Sequence, residues 1–152
     1  MATVSADEID ILEKAKRMLA PDYVPSEDEP YMNDKQQNYF RSLLSEWKRS
    51  IHSAADQTLQ SLQDGPIREP DLNDRASSET DWGIELRTRD RQRKLISKID
   101  AALRRIDEGE YGFCEVTGDP IGLRRLIARP VATMTVEAQE AHERREKISR
   151  DD

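Results

Sequence analysis

The residues of this 152-residue chain that come nearest to metal chemistry lie between Tyr111 and Pro130, in YGFCEVTGDPIGLRRLIARP. Cys114 stands where the first thiolate of a CxxC pair would be, but its partner position is Thr117. After a loop of 17 residues a second pair would fall at Thr135 and Ala138. A structural zinc ion takes four thiolate or imidazole ligands. One of the four remains, and a neutral hydroxyl is a poor exchange for a soft thiolate. The only histidines, His52 and His142, stand at no recognisable ligand spacing. No zinc is expected, so hydrogen bonds and packing must hold the loop instead. Thr117 and Thr135 can bond backbone groups at a turn and at a helix start. Phe113, Val116, Ile121, Leu123, Leu126, Ile127, Val131, Met134 and Val136 offer apolar contacts in place of the metal. Cys114 itself is expected to be a small buried residue rather than a redox sensor, because free cysteine is commonly buried.

A second kind of chemistry is that of carboxylates. In PDLNDRAS, residues 70–77, Asp71, Asn73, Asp74 and Arg75 suit a turn, since Asp and Asn readily bond their own backbone. At the end of a stiff projection such acids could meet a magnesium ion or the basic groups of a partner. The chain has no nucleophile–histidine pairing at a known spacing, no glycine-rich phosphate loop and no HExxH, so no enzyme active site is apparent.

The elements that must position these residues read as helices. Charged and apolar residues are balanced at 36% each and aromatics make up only 5%, which favours long solvated helices over one large core. Residues 7–19 form a short amphipathic helix with Ile9, Leu12 and Met18 on one side. APDYVPSEDEPYM, with three prolines, is a linker or extended arm. Asn33 caps the next helix. Its seam steps by four and three through Phe40, Leu44, Trp47, Ile51, Ala54 and Thr58 to Leu62. Gly65, Pro66 and Pro70 break it. A second helix from about Ser77 to Glu108 carries a seam through Trp82, Leu86, Arg89, Arg93, Ile96, Ile99, Leu103 and Ile106, the arginines snorkelling outward. Two long helices with a short connection return as an antiparallel hairpin. EGEYG ends the second helix, and a last helix covers 135–148, capped by Thr135 with Glu137 and Glu140 near its positive end.

The expected architecture is mainly α. An N-terminal helix and acidic, proline-containing linker (1–32) precede a coiled-coil hairpin (33–108) with its tip at 70–77. A degenerate finger and C-terminal helix (109–152) complete the chain. The net charge of −7 argues against general affinity for the nucleic-acid backbone. Residues 1–32 hold eight acids against three bases, whereas 86–105 hold eight bases against two acids, an asymmetry suited to docking on a protein of mixed surface charge. A single cysteine, no apolar run of transmembrane length and no basic-then-apolar start make the cytoplasm the expected location.

In order along residues 30–148, PYMN, PDLNDRA, ELRTRDRQRKLISKI, YGFC and GLRRLIARP resemble the DksA/TraR family of RNA polymerase-binding transcription regulators. The resemblance implies a factor, expected as a monomer, whose coiled coil enters the secondary channel of bacterial RNA polymerase. There the DxxDxA tip (Asp71, Asp74, Ala76) approaches the active site and alters initiation, for instance at ribosomal RNA promoters in the stringent response, without binding DNA or membrane. Arg91 matches a polymerase-contacting position. Leu95, Lys98 and Arg129 match the family's share of a ppGpp site, and a further lysine of that site is replaced by Gln139. The alternatives are a factor of the Gre type, which uses tip carboxylates to promote transcript cleavage, and a coiled-coil scaffold.

Overall fold

A computed structural model describes residues 6–19, 23–63 and 72–151, and these form five helices and no strand. The helices are α1 (Ala6–Met18), α2 (Asp34–Gln63), α3 (Leu72–Asp107), α4 (Leu123–Ala128) and α5 (Val136–Asp151). With 30 and 36 residues, α2 and α3 are about 45 and 54 Å long. Two ion pairs tie them together: Arg41 to Asp107 at 2.6 Å and Lys48 to Asp100 at 2.7 Å. Seven residues forward along α2 is seven back along α3, so the pair is antiparallel and one heptad separates the bridges. This is the expected mainly α hairpin.

Along α2, Phe40, Leu44, Trp47 and Ile51 are buried as the heptad required, and Ala54 is half-buried. Thr58 is exposed and turns its hydroxyl back to the carbonyl of Ala54 at 2.9 Å, so it is no part of the seam. The side chain of Leu62 lies outside the described residues. Gln36 and Leu43 are also fully buried, because α2 is covered by α1 as well as by α3. The seam of α3 differs from the expected one. Its inward line runs through Glu85, Gln92, Leu95, Ile99, Ala102 and Ile106, whereas Leu86 is 61% exposed and Trp82, Ile84 and Arg93 also face out. Arg89 is half-buried beside Glu85, 3.7 Å away. Toward the base the expected line holds, with Ile99 and Ile106 buried and Ile96 and Leu103 packed against the core; toward the tip the true line is polar, and following Trp82 and Leu86 led off the face that packs.

α1 buries Leu12 and Ala15, while Ile9 and Met18 turn outward. The segment after it is no free arm. Residues 23–32 fold onto the start of α2, where the Tyr23 hydroxyl donates to Glu29 at 2.5 Å. Asn33 caps α2 by accepting from the Gln36 N–H at 2.8 Å. The side chain of Gln36 reaches back, its Oε1 accepting from the Met32 N–H at 2.7 Å and its Nε2 donating to the Ser26 carbonyl at 3.2 Å. This reciprocal arrangement satisfies a fully buried amide. Met32, with φ 54°, takes a left-handed turn that presses its side chain against Gly112. A Cβ on Gly112 would stand 2.8 Å from Met32 Cγ, and the residue also has φ 91°, so only glycine fits.

Candidate functional site

The module beyond α3 begins where Gly109, at φ 76°, ends the helix and leaves the Arg105 carbonyl accepting from the N–H groups of Glu110 and Tyr111. The Arg105 guanidinium reaches over the turn and donates to the carbonyls of Phe113 (2.9 Å) and Glu110 (3.2 Å). Tyr31 inserts its hydroxyl between two loop segments, donating to the Gly112 carbonyl at 2.6 Å and accepting from the Gly122 N–H at 3.0 Å. Tyr111 is buried and donates to the Pro130 carbonyl at 2.8 Å. Burial drives its phenol far above the ordinary range, so it stays a neutral donor. These clamps join the linker, the hairpin and the loop.

The two former ligand pairs remain in register. The Glu115 N–H donates to the Thr133 carbonyl at 2.9 Å, stitching the first knuckle to the second. Thr117 accepts from the Asp119 N–H, and Thr135 caps α5 by accepting from the Ala138 N–H, each at 3.2 Å. Cys114 lies between the knuckles, only 3% exposed. Burial pushes its thiol pKa up. Outweighing that, hydrogen bonding from Thr117, Thr135 and Val116 favours the thiolate and brings the thiol from 9.0 to about 7. Of the apolar residues expected to replace a metal, Ile121, Leu123 and Leu126 are buried and Phe113, Ile127, Val131 and Met134 half-buried; Val116 (61%) and Val136 (46%) are exposed. The donor set does not fit zinc. Thr117, Thr135 and Ala138 bring no anionic ligand, and His142 is engaged with Glu146 at 3.1 Å on α5. No group of three metal-ligating side chains occurs among the described residues.

Lys98 and Arg129, expected to act together, do meet. They line one cavity of about 230 Å³ between α3 and the loop, with Arg125, Thr133 and Gln139 also in its wall. Arg125 is oriented by donating from Nε to the Met134 carbonyl at 2.9 Å. Ala101, Val131 and Ala132 complete the walls, and the cationic groups in those walls suit a phosphate-rich anion. Leu95 is not in that wall; it is 7% exposed and packs in the hairpin seam. At the tip, Asp71 lies outside the described residues. Asn73, Asp74, Arg75 and Ala76 belong to the first turns of α3, which starts earlier than the expected Ser77. Arg91 is exposed on α3, its Nη2 3.4 Å from the Thr88 hydroxyl.

Local patterns could not reveal Tyr31, Arg105 or Tyr111 as clamps, since their partners are set by tertiary contacts; Tyr31 bonds residues 81 and 91 positions away. Only the neighbouring caps had a legible signal.

The fold and site define a class: a long helical hairpin on a finger-like base, with a cation-lined cavity where the two join. Two family models match this division. The N-terminal domain of the DnaK suppressor protein DksA matches residues 36–106, and the prokaryotic dksA/traR C4-type zinc finger matches 109–144. An RNA polymerase-binding transcription factor DksA of Caulobacter vibrioides is 63% identical over 86% of this chain and 92% of its own length. That of Escherichia coli K12 is 40% identical over 82% of this chain and 83% of its own. The solved structure of transcription factor DksA2 from Pseudomonas aeruginosa superimposes with a TM-score of 0.69 at 38% identity, covering 92% of this chain and 98% of that one. The chain belongs to the DksA/TraR family.

Proposed function

We propose that this protein is a non-catalytic transcription regulator that binds bacterial RNA polymerase through the secondary channel. The observation that carries this reading is the 63% identity, across 86% of the chain, to a relative named for polymerase binding. The hairpin supports it, because an α3 about 54 Å long can carry a small acidic end deep into a recess. The described residues within 1–32 and 109–152 form the base, and those within 33–108 the projection. Asp71 and Asp74 present the acids near the polymerase active site, Ala76 permits close approach, and Arg91 contacts the channel wall. The cavity of Lys98 and Arg129 holds ppGpp against polymerase; Leu95 supports Lys98 from one turn away, and Gln139 in place of a lysine weakens the grip. The net charge of −7 disfavours direct DNA binding, and the working location is the cytoplasm.

The test is transcription from a ribosomal RNA promoter by purified polymerase, with and without ppGpp, comparing the wild type with Asp74→Asn. The variant is expected to bind polymerase as the wild type does and to lose most of the regulation. Equal regulation by both proteins defeats the tip assignment. Release of short 3′ RNA fragments from a backtracked complex would make the protein a cleavage factor instead.

A further inference from the structure

A second cavity shares Arg125 and Arg129 with the first and is bordered by α1, α2, α4 and the first residue of α5, with a volume of about 650 Å³. Its character is opposite to that of the first. Leu12, Trp47 and Ala128 contribute to its walls, and Ile9 and Val136, respectively 48% and 46% exposed, border it as large apolar groups left uncovered. The charge there is one-sided. Arg124, Arg125 and Arg129 all reach it, against the single carboxylate of Glu13, which Lys16 already engages at 3.1 Å.

A third observation is independent of shape and charge. Trp47 is 1% exposed, and its indole N–H has no acceptor among the described residues. A buried donor without a partner costs on the order of 1–3 kcal/mol, so packing rather than a bond holds Trp47 in this wall, where it can report on what enters the cavity.

We infer that this cavity binds a small amphipathic anion, a medium-chain carboxylate with an apolar body and one charged head. The volume falls within the range of roughly 300–1,000 Å³ typical of small-molecule sites. Apolar walls bury the chain. The arginine forks take the head, since guanidinium pairs with carboxylate in a planar, two-bond geometry. A nucleotide fits poorly, because beyond the arginines, Glu13 and the inaccessible indole N–H of Trp47 the walls offer no side-chain polar groups to read a base or a sugar. This inference goes beyond polymerase binding and stands or falls without it.

Decanoate is the probe, and Trp47 is the reporter once the other tryptophan is removed by Trp82→Phe. Titration is expected to give a saturable change in Trp47 emission at one decanoate per chain, matched by calorimetry. Arg124→Gln and Ile9→Asn touch this cavity and not the polar one, and each is expected to weaken binding about tenfold or more, the scale of one lost charged contact or of a polar group placed in an apolar site. Their melting curves should match the parent, as both side chains are substantially exposed. Lys98→Ala, on the other cavity, should leave the affinity unchanged. Decanol, which lacks the charge, should bind about tenfold more weakly. No saturable signal, decanol binding as tightly as decanoate, or full affinity in both Arg124→Gln and Ile9→Asn would each overturn the assignment.

Discussion

Cys114 shows how far one side chain can inherit the work of a metal site. A zinc ion organises two knuckles by pulling four anionic ligands to one point. Here the polar groups of Thr117, Thr135 and Val116 instead favour the thiolate of one cysteine. The arrangement has a consequence in pH. The folded thiol titrates near 7 against 9.0 for the ordinary group. Between those values the unfolded chain holds a proton that the folded chain has released, so stability rises with pH across that window. The contribution is complete above the unfolded value and is lost as pH falls through about 7. Cys114→Ala should therefore cost more stability at pH 9 than at pH 6, measured by urea denaturation. A difference that stays level or shrinks with rising pH defeats the thiolate picture. The sequence disclosed the hydroxyls of Thr117 and Thr135 as local bonders, which they are. It did not disclose the reach of Gln36: Asn33 and Gln36 have capping-box spacing, but the bonds of the amide to Ser26, Glu29 and Met32 depend on how the preceding segment folds back.

At the scale of elements, the four longer helices were legible, and so were the ends set by local caps and breakers; the short α4 was not anticipated, and α3 starts at Leu72 rather than Ser77. Asn33, Thr135 and Gly109 act within a turn of their own positions. The facing of α3 was not, since its inward line holds Glu85 and Gln92 while Leu86 lies outside. Hydrophobicity marks a seam only where the seam is hydrophobic. The two lines can be separated by stability. Gln92 Oε1 is buried without a hydrogen-bond partner among the described residues, so Gln92→Leu removes a desolvated acceptor and adds apolar contact. It should stabilise the hairpin by about 1 kcal/mol. Arg93→Leu, one position along and exposed, should change stability by less than about 0.5 kcal/mol. Chemical denaturation of both variants decides the matter; the reverse ranking would restore the line read from the apolar residues.

For the whole molecule, the question is whether the base is a finger that lost its metal or a different structure reached by another route. The bonds favour the first. Glu115 and Thr133 still join the knuckles at 2.9 Å, and groups of both knuckles, on Thr117 and on Thr135, favour the thiolate of Cys114. Thr135 and Ala138 stand as cap and third residue of α5, bonded to each other at 3.2 Å, which puts position 138 one turn from 135 and on the same side. The backbone that would present four thiolates is therefore already in place. Thr117→Cys, Thr135→Cys and Ala138→Cys combined should yield a chain that takes up one zinc per molecule, read by elemental analysis. A chelator should then lower the melting temperature of that variant and leave the parent unchanged, because binding energy adds to folding energy only where a site exists. Near-stoichiometric zinc in the parent would show that other groups complete the site around Cys114. A triple variant that folds yet takes up no zinc would show that the knuckles have drifted apart, and that hydrogen bonding has built a base of its own rather than preserved the old one.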